Sequence, residues 1–172
     1  MSLSLPTLET SRLVLRPLEQ ADLDDYAAIM ADPEVVQYLG QAPNSREDAW
    51  RSMATFLGHG VLRGWTNNAV VVRATGEFVG RCGLWQPENW PGLEVGWTFA
   101  RSAWGNGYAT EAATAWRDWA FANIPTLDTL ISVIHRDNAR SIAVAERIGH
   151  RYLYDLEVRS HPCVIYGQDR PR

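Results

Sequence analysis

The sequence has few cysteines, no long apolar segment and no excess of basic residues. Its two cysteines, Cys82 and Cys163, lie far apart without Cys-x-x-Cys spacing, which argues against a disulfide framework and a cysteine-based metal site. We expect both to be buried. No apolar run approaches the roughly 20 residues that span a bilayer, so we expect no membrane partner. The net charge of −4 and the scattered basic residues disfavour nucleic-acid binding.

The N-terminus also lacks the features of a signal peptide. Residues 1–6 contain neither a basic start nor a long apolar segment, so we expect the protein in the cytoplasm. The length of 172 residues, with 46% hydrophobic and 21% charged residues, is typical of one globular domain. We therefore predict a single domain over residues 1–172.

Hydrophobic periodicity predicts both strands and helices along the chain. The predicted strands are 11–16, 68–73, 77–85, 93–100, 129–135, 151–159 and 164–168. The predicted helices are 19–30, 32–39, 107–121 and 139–148, and another that starts after Ser45 and fades near residues 58–60. The fold class is therefore α/β or α+β. We expect a mixed, mostly antiparallel sheet of about six or seven strands, with one parallel connection and helices over its faces.

A glycine-rich turn precedes the helix predicted at 107–121. Gly105 and Gly107 permit positive φ angles and close approach of a ligand, and the start of the helix leaves N–H groups unpaired at the positive end of its dipole. The turn therefore predicts a site for a pyrophosphate. Thr110 replaces the third glycine of a dinucleotide-binding motif, and a Walker lysine is missing. The residues concerned are Trp104, Gly105, Asn106, Gly107, Tyr108, Ala109 and Thr110.

Four segments, taken in order, resemble a known protein family. They are 8–17 (Leu-Glu-Thr-Ser-Arg-Leu-Val-Leu-Arg-Pro), 94–97 (Glu-Val-Gly-Trp), 104–112 (Trp-Gly-Asn-Gly-Tyr-Ala-Thr-Glu-Ala) and 137–141 (Asp-Asn-Ala-Arg-Ser). This set is similar to the GNAT N-acetyltransferases, and among them to the RimJ/RimL type. The resemblance extends over most of the chain. It implies a GNAT-like sheet in which the parallel pair of strands is splayed at the cofactor site.

The resemblance implies acetyl-coenzyme A as the acetyl donor, a primary amine as the acceptor and no metal. Residues 104–109 match the family's pyrophosphate-binding pattern Gln/Arg-x-x-Gly-x-Gly/Ala, with Trp104 where Gln or Arg is usual. Because tryptophan carries no charge, backbone N–H groups must bind most of the phosphate. The N–H or ring of Trp104 is left to contact the cofactor.

The strand at 93–100 is expected to hold the pantetheine arm through its backbone, near Phe99 and Ala100. In the family, the cofactor's amides fill the opening between this strand and the next as an extra strand would. A free backbone N–H near Trp97 or Thr98 would then face the thioester oxygen and stabilise the oxyanion that forms during attack.

Glu94 is the residue that we expect to act as the general base. It lies in an apolar strand beside the expected thioester, at a position that often holds the family's base. An ammonium group must lose a proton before it can attack, and a carboxylate can take that proton directly or through water. Binding of the substrate ammonium is the competing role, and a solvated carboxylate at the cleft rim is the simplest structural explanation.

The helix predicted at 139–148 supplies two further candidates. Asn138 fits an ordinary N-cap, to which the resemblance adds a hydrogen bond to the pantetheine arm. Ala145 replaces the tyrosine that protonates the departing thiolate in many family members. Ser141, one helical turn after Asn138, is the nearest substitute, either as a direct donor or by holding a water.

Several other residues are weaker candidates. His135 ends a predicted strand beside the cleft, where a hydrogen-bonded structural histidine is a simpler explanation than a base. Glu111 lies in a first helical turn, where a carboxylate favours the helix dipole. A hydrolase built on Ser141 and His135 is disfavoured because no Gly-x-Ser-x-Gly motif occurs. The acceptor pocket could be lined by Trp90, His161 and Tyr166.

Two classes of function remain open from the sequence. The first is an enzyme that moves acetyl from acetyl-coenzyme A to an amine by direct attack in a ternary complex. The RimJ/RimL resemblance implies a protein N-terminal amino group, and a small-molecule amine or antibiotic is the alternative acceptor. The second class is a non-catalytic acyl-coenzyme A-binding module. A homodimer is suggested by the resemblance alone.

Overall fold

A computed structural model of the protein describes residues 5–171 and contains an eight-stranded sheet. The strands are β1 (Leu8–Glu9), β2 (Leu13–Arg16), β3 (Asn67–Val72), β4 (Phe78–Trp85), β5 (Glu94–Phe99), β6 (Thr129–His135), β7 (Arg151–Val158) and β8 (His161–Asp169). The helices are α1 (Leu23–Ala31), α2 (Pro33–Val36), α3 (Arg46–Arg63), α4 (Tyr108–Asn123) and α5 (Ala139–Arg147). None of the described helices is both long enough and apolar enough to cross a membrane.

The strands lie in the order β1-β2-β3-β4-β5-β6-β8-β7. Neighbouring strands are antiparallel, except that β5 and β6 run parallel. The chain passes from β5 through α4 to β6, since two parallel strands need a crossover connection. The predicted mixed, mostly antiparallel sheet with one parallel pair is confirmed.

Several elements differ from the sequence prediction. Helix α2 ends at Val36 rather than near residue 39, α1 begins at Leu23 after a 3-10 turn over 20–22, and β8 begins at His161 rather than at 164. The short strand β1 is an additional one, since its two residues show no alternating pattern, and it pairs with β2 through Leu8 opposite Leu15. Helix α3 continues past residues 58–60 and ends at Gly64, which has a φ of 83°. Gly60 does not end the helix because its lack of a side chain serves packing: a Cβ there would lie 2.8 Å from Leu5 and 3.1 Å from Thr66.

Helices cover both faces of the sheet. On one face, α4 buries Ala112, Ala113 and Trp116 completely, and the two small residues let its axis lie close to the sheet. On the other face, α1 and α3 bury Tyr26 and Phe56 in a second cluster. Cys82 and Cys163 are buried free thiols, as expected. One face of the sheet carries α1 and α3, and the other carries α4 and α5. The gap between β5 and β6 lies between these two faces.

Strands β5 and β6 diverge soon after they meet. In the described chain they pair at one position, Glu94 opposite Ile131. The Ile131 N–H donates to the Leu93 carbonyl over 2.9 Å, and the Ser132 hydroxyl donates to the Val95 carbonyl over 2.8 Å. Beyond Val95 the strands splay, and this opening positions the candidate site.

Candidate active site

The glycine-rich turn and the start of α4 form one wall of a cleft. Gly105 and Gly107 adopt left-handed backbone conformations, with φ angles of 80° and 78°. Gly107 is the N-cap residue of α4, and no described side chain caps this end of the helix. A Cβ atom at Gly105 would meet no described atom within 4 Å. The first N–H groups of α4 are therefore free to bind an anion.

Arg12 and Glu111 hold this turn in place. The Arg12 guanidinium donates to the Asn106 carbonyl over 2.9 Å and to the Glu111 carboxylate over 2.7 Å. Glu111 also accepts from the Thr10 hydroxyl over 2.6 Å. Burial alone would raise the pKa of Glu111, but the hydrogen bonds from Thr10 and Arg12 outweigh it and lower that pKa. Glu111 thus ties the segment before β2 to α4, a role that its helical position did not reveal.

An arginine from α5 supplies the charge that Trp104 lacks. The Trp104 indole N–H donates to the Phe99 carbonyl over 3.1 Å, so this N–H is engaged within the protein and leaves only the ring free. The guanidinium carbon of Arg140 lies 4.1 Å from the centroid of that ring, in cation–π geometry. Sequence analysis missed Arg140 because its contact joins two helices whose packing is not visible in the sequence.

We name the space beside this turn the turn-side cleft. It has a volume of about 930 Å³. Its described charged residues are Arg12, Arg140 and Arg147, with Glu111 as the acid, and Glu111 is already paired with Arg12. This excess of positive charge, together with the open N–H groups of α4, fits the phosphates of coenzyme A. The predicted residues that line the cleft are Phe99, Trp104, Gly105, Gly107, Tyr108, Ala109, Thr110, Asn138 and Ser141.

Two predicted cofactor-binding residues do not line this cleft. Both backbone groups of Ala100 are engaged within the protein, since its N–H donates to Val79 and its carbonyl accepts from Ala103. The structure therefore does not bring Ala100 to the expected pantetheine site. The Asn106 side chain donates to the Ala103 carbonyl over 3.2 Å, so this side chain stabilises the turn from within.

The backbone of Trp97 faces the opening between β5 and β6. Along an antiparallel strand, alternate residues direct their N–H and carbonyl groups to opposite neighbours. The Ala100 N–H points to β4, and Thr98 pairs opposite Arg81 in the same register. The backbone groups of Trp97 and Phe99 therefore point toward β6, which has diverged. Trp97, rather than Thr98, presents the free N–H predicted near the thioester.

Glu94 lies at the start of β5, partly exposed to a second cavity. The Trp90 indole N–H donates to its Oε2 over 2.7 Å. Its Oε1 lies over Gly96, 3.2 Å from where a Cβ would be, so the absent side chain leaves room at this oxygen. Burial raises the pKa of Glu94 to about 7, although the hydrogen bonds from Trp90 and the Val133 N–H and the charge of Arg81 lower it in part. A carboxylate with this pKa can exchange a proton near neutral pH.

The second cavity, which we name the Glu94 cavity, has a volume of about 520 Å³. It is lined by Trp90, His135 and His161, three of the weaker candidates. His135 accepts from the Asp137 N–H over 3.2 Å, as a structural histidine would. Tyr166 lines neither cavity, and its ring packs near Tyr152 instead. The two cavities share the residues Tyr38, Leu39, Trp97, Thr98, Asn138 and Ser141, so they meet further along β5 from Glu94, which lines the second cavity alone.

Asn138 and Ser141 lie where the two cavities meet. The Asn138 side chain accepts from the Ser141 N–H over 3.1 Å and caps α5, as its N-cap prediction requires. The Ser141 hydroxyl makes no hydrogen bond to the described residues and is free to act on a ligand. Ala145, on the next turn of α5, is completely buried and has a methyl side chain without an acidic proton, so it offers no acid.

Comparison with known proteins identifies the family. An acetyltransferase (GNAT) domain model matches residues 12–151. The chain is 34% identical to the protein YkkB of Bacillus subtilis (strain 168), over 92% of this chain and 93% of that protein. It is 31% identical to the uncharacterized N-acetyltransferase p20 of Bacillus licheniformis, over 80% of this chain and 78% of that protein.

Solved structures show the same fold. An acetyltransferase from Agrobacterium tumefaciens str. C58 superposes with a TM-score of 0.84 at 37% identity, covering 96% of this chain and 95% of that one. The coenzyme A complex of RimL, the ribosomal L7/L12 α-N-protein acetyltransferase, superposes with a TM-score of 0.77 at 15% identity. The match covers 95% of this chain and 98% of that one. That likeness concerns the fold alone.

Proposed function

This chain belongs to the GNAT acetyltransferase family, and we propose that it transfers an acetyl group from acetyl-coenzyme A to an α-amino group by direct attack in a ternary complex. The observation that carries this proposal is the meeting of the two cavities at Trp97, Thr98 and Ser141, on and beside the strand that begins with Glu94. A donor in the turn-side cleft and an amine in the Glu94 cavity would come into contact there. No covalent enzyme intermediate is needed, since both substrates reach one point.

The turn-side cleft would bind acetyl-coenzyme A through backbone and arginine groups. The open N–H groups after Gly107 and the guanidinium of Arg140 would bind the phosphates. The N–H and carbonyl of Trp97 and the N–H of Phe99 would pair with the pantetheine amides, where β6 has diverged. Bound in this way, acetyl-coenzyme A supplies an activated acetyl group whose thiolate is a fair leaving group.

Glu94 would accept the proton of the attacking amine. Its Oε2 is held by Trp90, while its Oε1 faces the space over Gly96, where an ammonium or a bridging water fits. The Trp97 N–H would donate to the oxyanion that develops during attack. Ser141 would protonate the departing thiolate, directly or through a water, because its hydroxyl lies at the junction and Ala145 offers no alternative.

The pKa of Glu94 favours an α-amino group as the acceptor. An α-amino group has a pKa of about 7.7–8.0, whereas an alkylamine such as the lysine side chain has a pKa of about 10.4. Transfer of a proton to a base with a pKa of about 7 is far less unfavourable from the first than from the second. This supports a protein N-terminus, the acceptor implied by the RimJ/RimL resemblance, over an alkylamine such as a polyamine.

Release of coenzyme A thiol tests the proposal. Acetyl-coenzyme A is incubated with N-terminal peptides, polyamines or aminoglycosides, and thiol is measured over time for the wild type and Glu94→Gln. We expect amine-dependent release that is fastest with peptides and falls by about 100-fold or more in the variant. Glu88→Gln, an exposed carboxylate paired with Arg63, is the matched control and should retain activity. Absence of release with every amine would refute the proposal.

A further inference from the structure

The charges of the Glu94 cavity define the substrate class further. Among its described lining residues, Glu94 is the sole carboxylate, and burial holds it partly protonated near neutral pH. Arg81 and Arg159 line the same cavity. A site for a polycation would need several carboxylates, so this cavity does not suit polyamines or aminoglycosides.

Arg81 is fixed in the cavity without a carboxylate partner among residues 5–171. Its Nη1 donates to the Asn67 side chain over 2.8 Å, and its guanidinium carbon lies 4.7 Å from the centroid of the Phe56 ring. A guanidinium held by neutral groups retains its full charge and its remaining donors. An arginine so positioned in a substrate cavity is preorganised for an anion.

The neighbouring polar atoms point to the same conclusion. Arg81 on β4 pairs with Thr98 on β5. The Arg81 Nε and the Thr98 Oγ1 are both buried, and neither has a hydrogen-bond partner among the described residues. Unsatisfied buried donors are costly and are usually satisfied by a ligand or water. Both residues line the Glu94 cavity, so no acceptor within the described protein competes for the Nε donor of Arg81 there.

The spacing places this anion site next to the proposed base but not on it. The Glu94 carboxylate leans over Gly96, and Thr98 lies two residues further along the strand, a distance of roughly 7 Å. A substrate that delivers its amine to Glu94 can therefore reach Arg81 with an anionic group a few bonds away from its nitrogen.

We propose that the acceptor is an α-amine that carries a carboxylate a few bonds from the nitrogen, which Arg81 binds while Glu94 accepts the amine proton. This proposal rests on the proposed acetyl transfer and names its substrate class. The carboxylate can belong to the side chain of an acidic N-terminal residue or to a free amino acid. Both sources present the same chemistry to Arg81 and Thr98.

Matched pairs of acceptors test this proposal with the wild-type enzyme. In the peptide arm, Glu-Ala-amide is compared with Gln-Ala-amide, which differs only in the side-chain charge. In the amino-acid arm, alanine is compared with alaninamide, with kcat/KM expressed per concentration of neutral amine because the α-carboxylate of alanine also raises the pKa of its amine. We expect the acidic member to have a kcat/KM at least about 10-fold higher in one arm, and that arm identifies the source. Equal values in both arms, or a polyamine that exceeds every acidic acceptor, would overturn the proposal while leaving acetyl transfer itself intact.

Variants of Arg81 assign the preference to this residue. Arg81→Met should raise KM for the acidic acceptor by about 10–100-fold and change kinetics with its neutral partner less than about threefold. Arg81→Lys should recover part of the preference because it keeps the charge. Arg151→Met, an exposed arginine paired with Asp169, is the control and should keep the wild-type ratio. An equal loss for both acceptors in Arg81→Met, with wild-type behaviour in Arg81→Lys, would contradict direct binding of the carboxylate.

Discussion

At the residue scale, Glu94 combines burial with a single strong hydrogen bond. Desolvation favours its protonated form, while the Trp90 indole favours the carboxylate, and the balance is a pKa of about 7. As the proposed base, Glu94 would be weak enough to release its proton again after each turnover.

The pH dependence of activity follows from this pKa. Because the base works only when deprotonated, kcat/KM should increase about tenfold per pH unit below pH 7 and stop increasing on account of Glu94 above it. Initial rates of thiol release between pH 5.5 and 9 measure this limb. In Glu94→Gln, this increase of kcat/KM toward pH 7, the activity limb, should disappear. An unchanged limb in that variant would show that another group titrates there.

Trp90 should adjust the pKa of Glu94 without entering the reaction. Trp90→Phe removes the indole donor that stabilises the carboxylate, so the pKa of Glu94 rises and the activity limb should move to higher pH, by up to about one unit. The limb is measured as for the wild type. Trp50→Phe, which changes a half-exposed ring on α3, is the control. A limb that moves to lower pH would contradict the assigned hydrogen bond.

At the element scale, the start of α4 depends on backbone that no side chain obstructs. Gly105 and Gly76 have similar positive φ angles, 80° and 74°, and a Cβ at either would meet nothing within 4 Å of the described protein. Gly105→Ala and Gly76→Ala should therefore lower the free energy of unfolding alike, by about 1–2 kcal/mol. The first should also raise KM for acetyl-coenzyme A, because its methyl group occupies the cleft. Thermal denaturation of both variants measures the backbone strain, and KM for acetyl-coenzyme A measures obstruction of the cleft. Equal KM values for Gly105→Ala and Gly76→Ala would contradict the assigned cleft.

The contact between α5 and the glycine turn would supply the charge of the proposed phosphate site. Arg140→Met keeps a long side chain over Trp104 but removes the positive charge, so KM for acetyl-coenzyme A should rise about 3–10-fold with little change in kcat. The increase should be largest at low ionic strength, since salt screens the interaction in the wild type. Arg136→Met, an exposed arginine paired with Asp155, should behave as the wild type. A rise in KM that ignores salt would argue against a charge contact.

Sequence patterns predicted the elements but not the contacts between them. Alternation and helical periodicity located β3 to β6, and the paired glycines with Asn138 located both cavity walls, because these signals are local. Arg140 over Trp104 and Arg12 on Asn106 are contacts between residues 36 and 94 positions apart, and no local pattern encodes them. The expected contact of Ala100 with pantetheine depends on strand register in a related way. Register decides which neighbouring strand the Ala100 N–H faces, and the sequence does not specify it; in the structure this N–H donates to Val79 on β4.

At the scale of the whole molecule, the sheet consists of two halves joined at Glu94 and Ile131. Strand β5 lies in the middle of the sheet, yet the amides of Trp97 and Phe99 point toward β6 and have no partner there. They should exchange their hydrogens quickly in the free protein and slowly with bound coenzyme A, whereas the Val70 amide between β2 and β4 should exchange slowly in both. Hydrogen exchange followed by mass spectrometry measures this, and slow exchange at Trp97 without ligand would contradict the opening.

The divergence of β5 and β6 also bears on association between molecules. An unpaired strand edge readily adds a strand from another chain and so promotes aggregation, which is why proteins shorten or cover their outer edges. Here an inner edge is created between α4 and α5 instead, where the walls of the turn-side cleft exclude a second sheet. We expect a slender ligand to enter this opening more readily than the strand of a neighbouring protein. The fold thereby gains the recognition strength of an open edge without its usual risk of self-assembly.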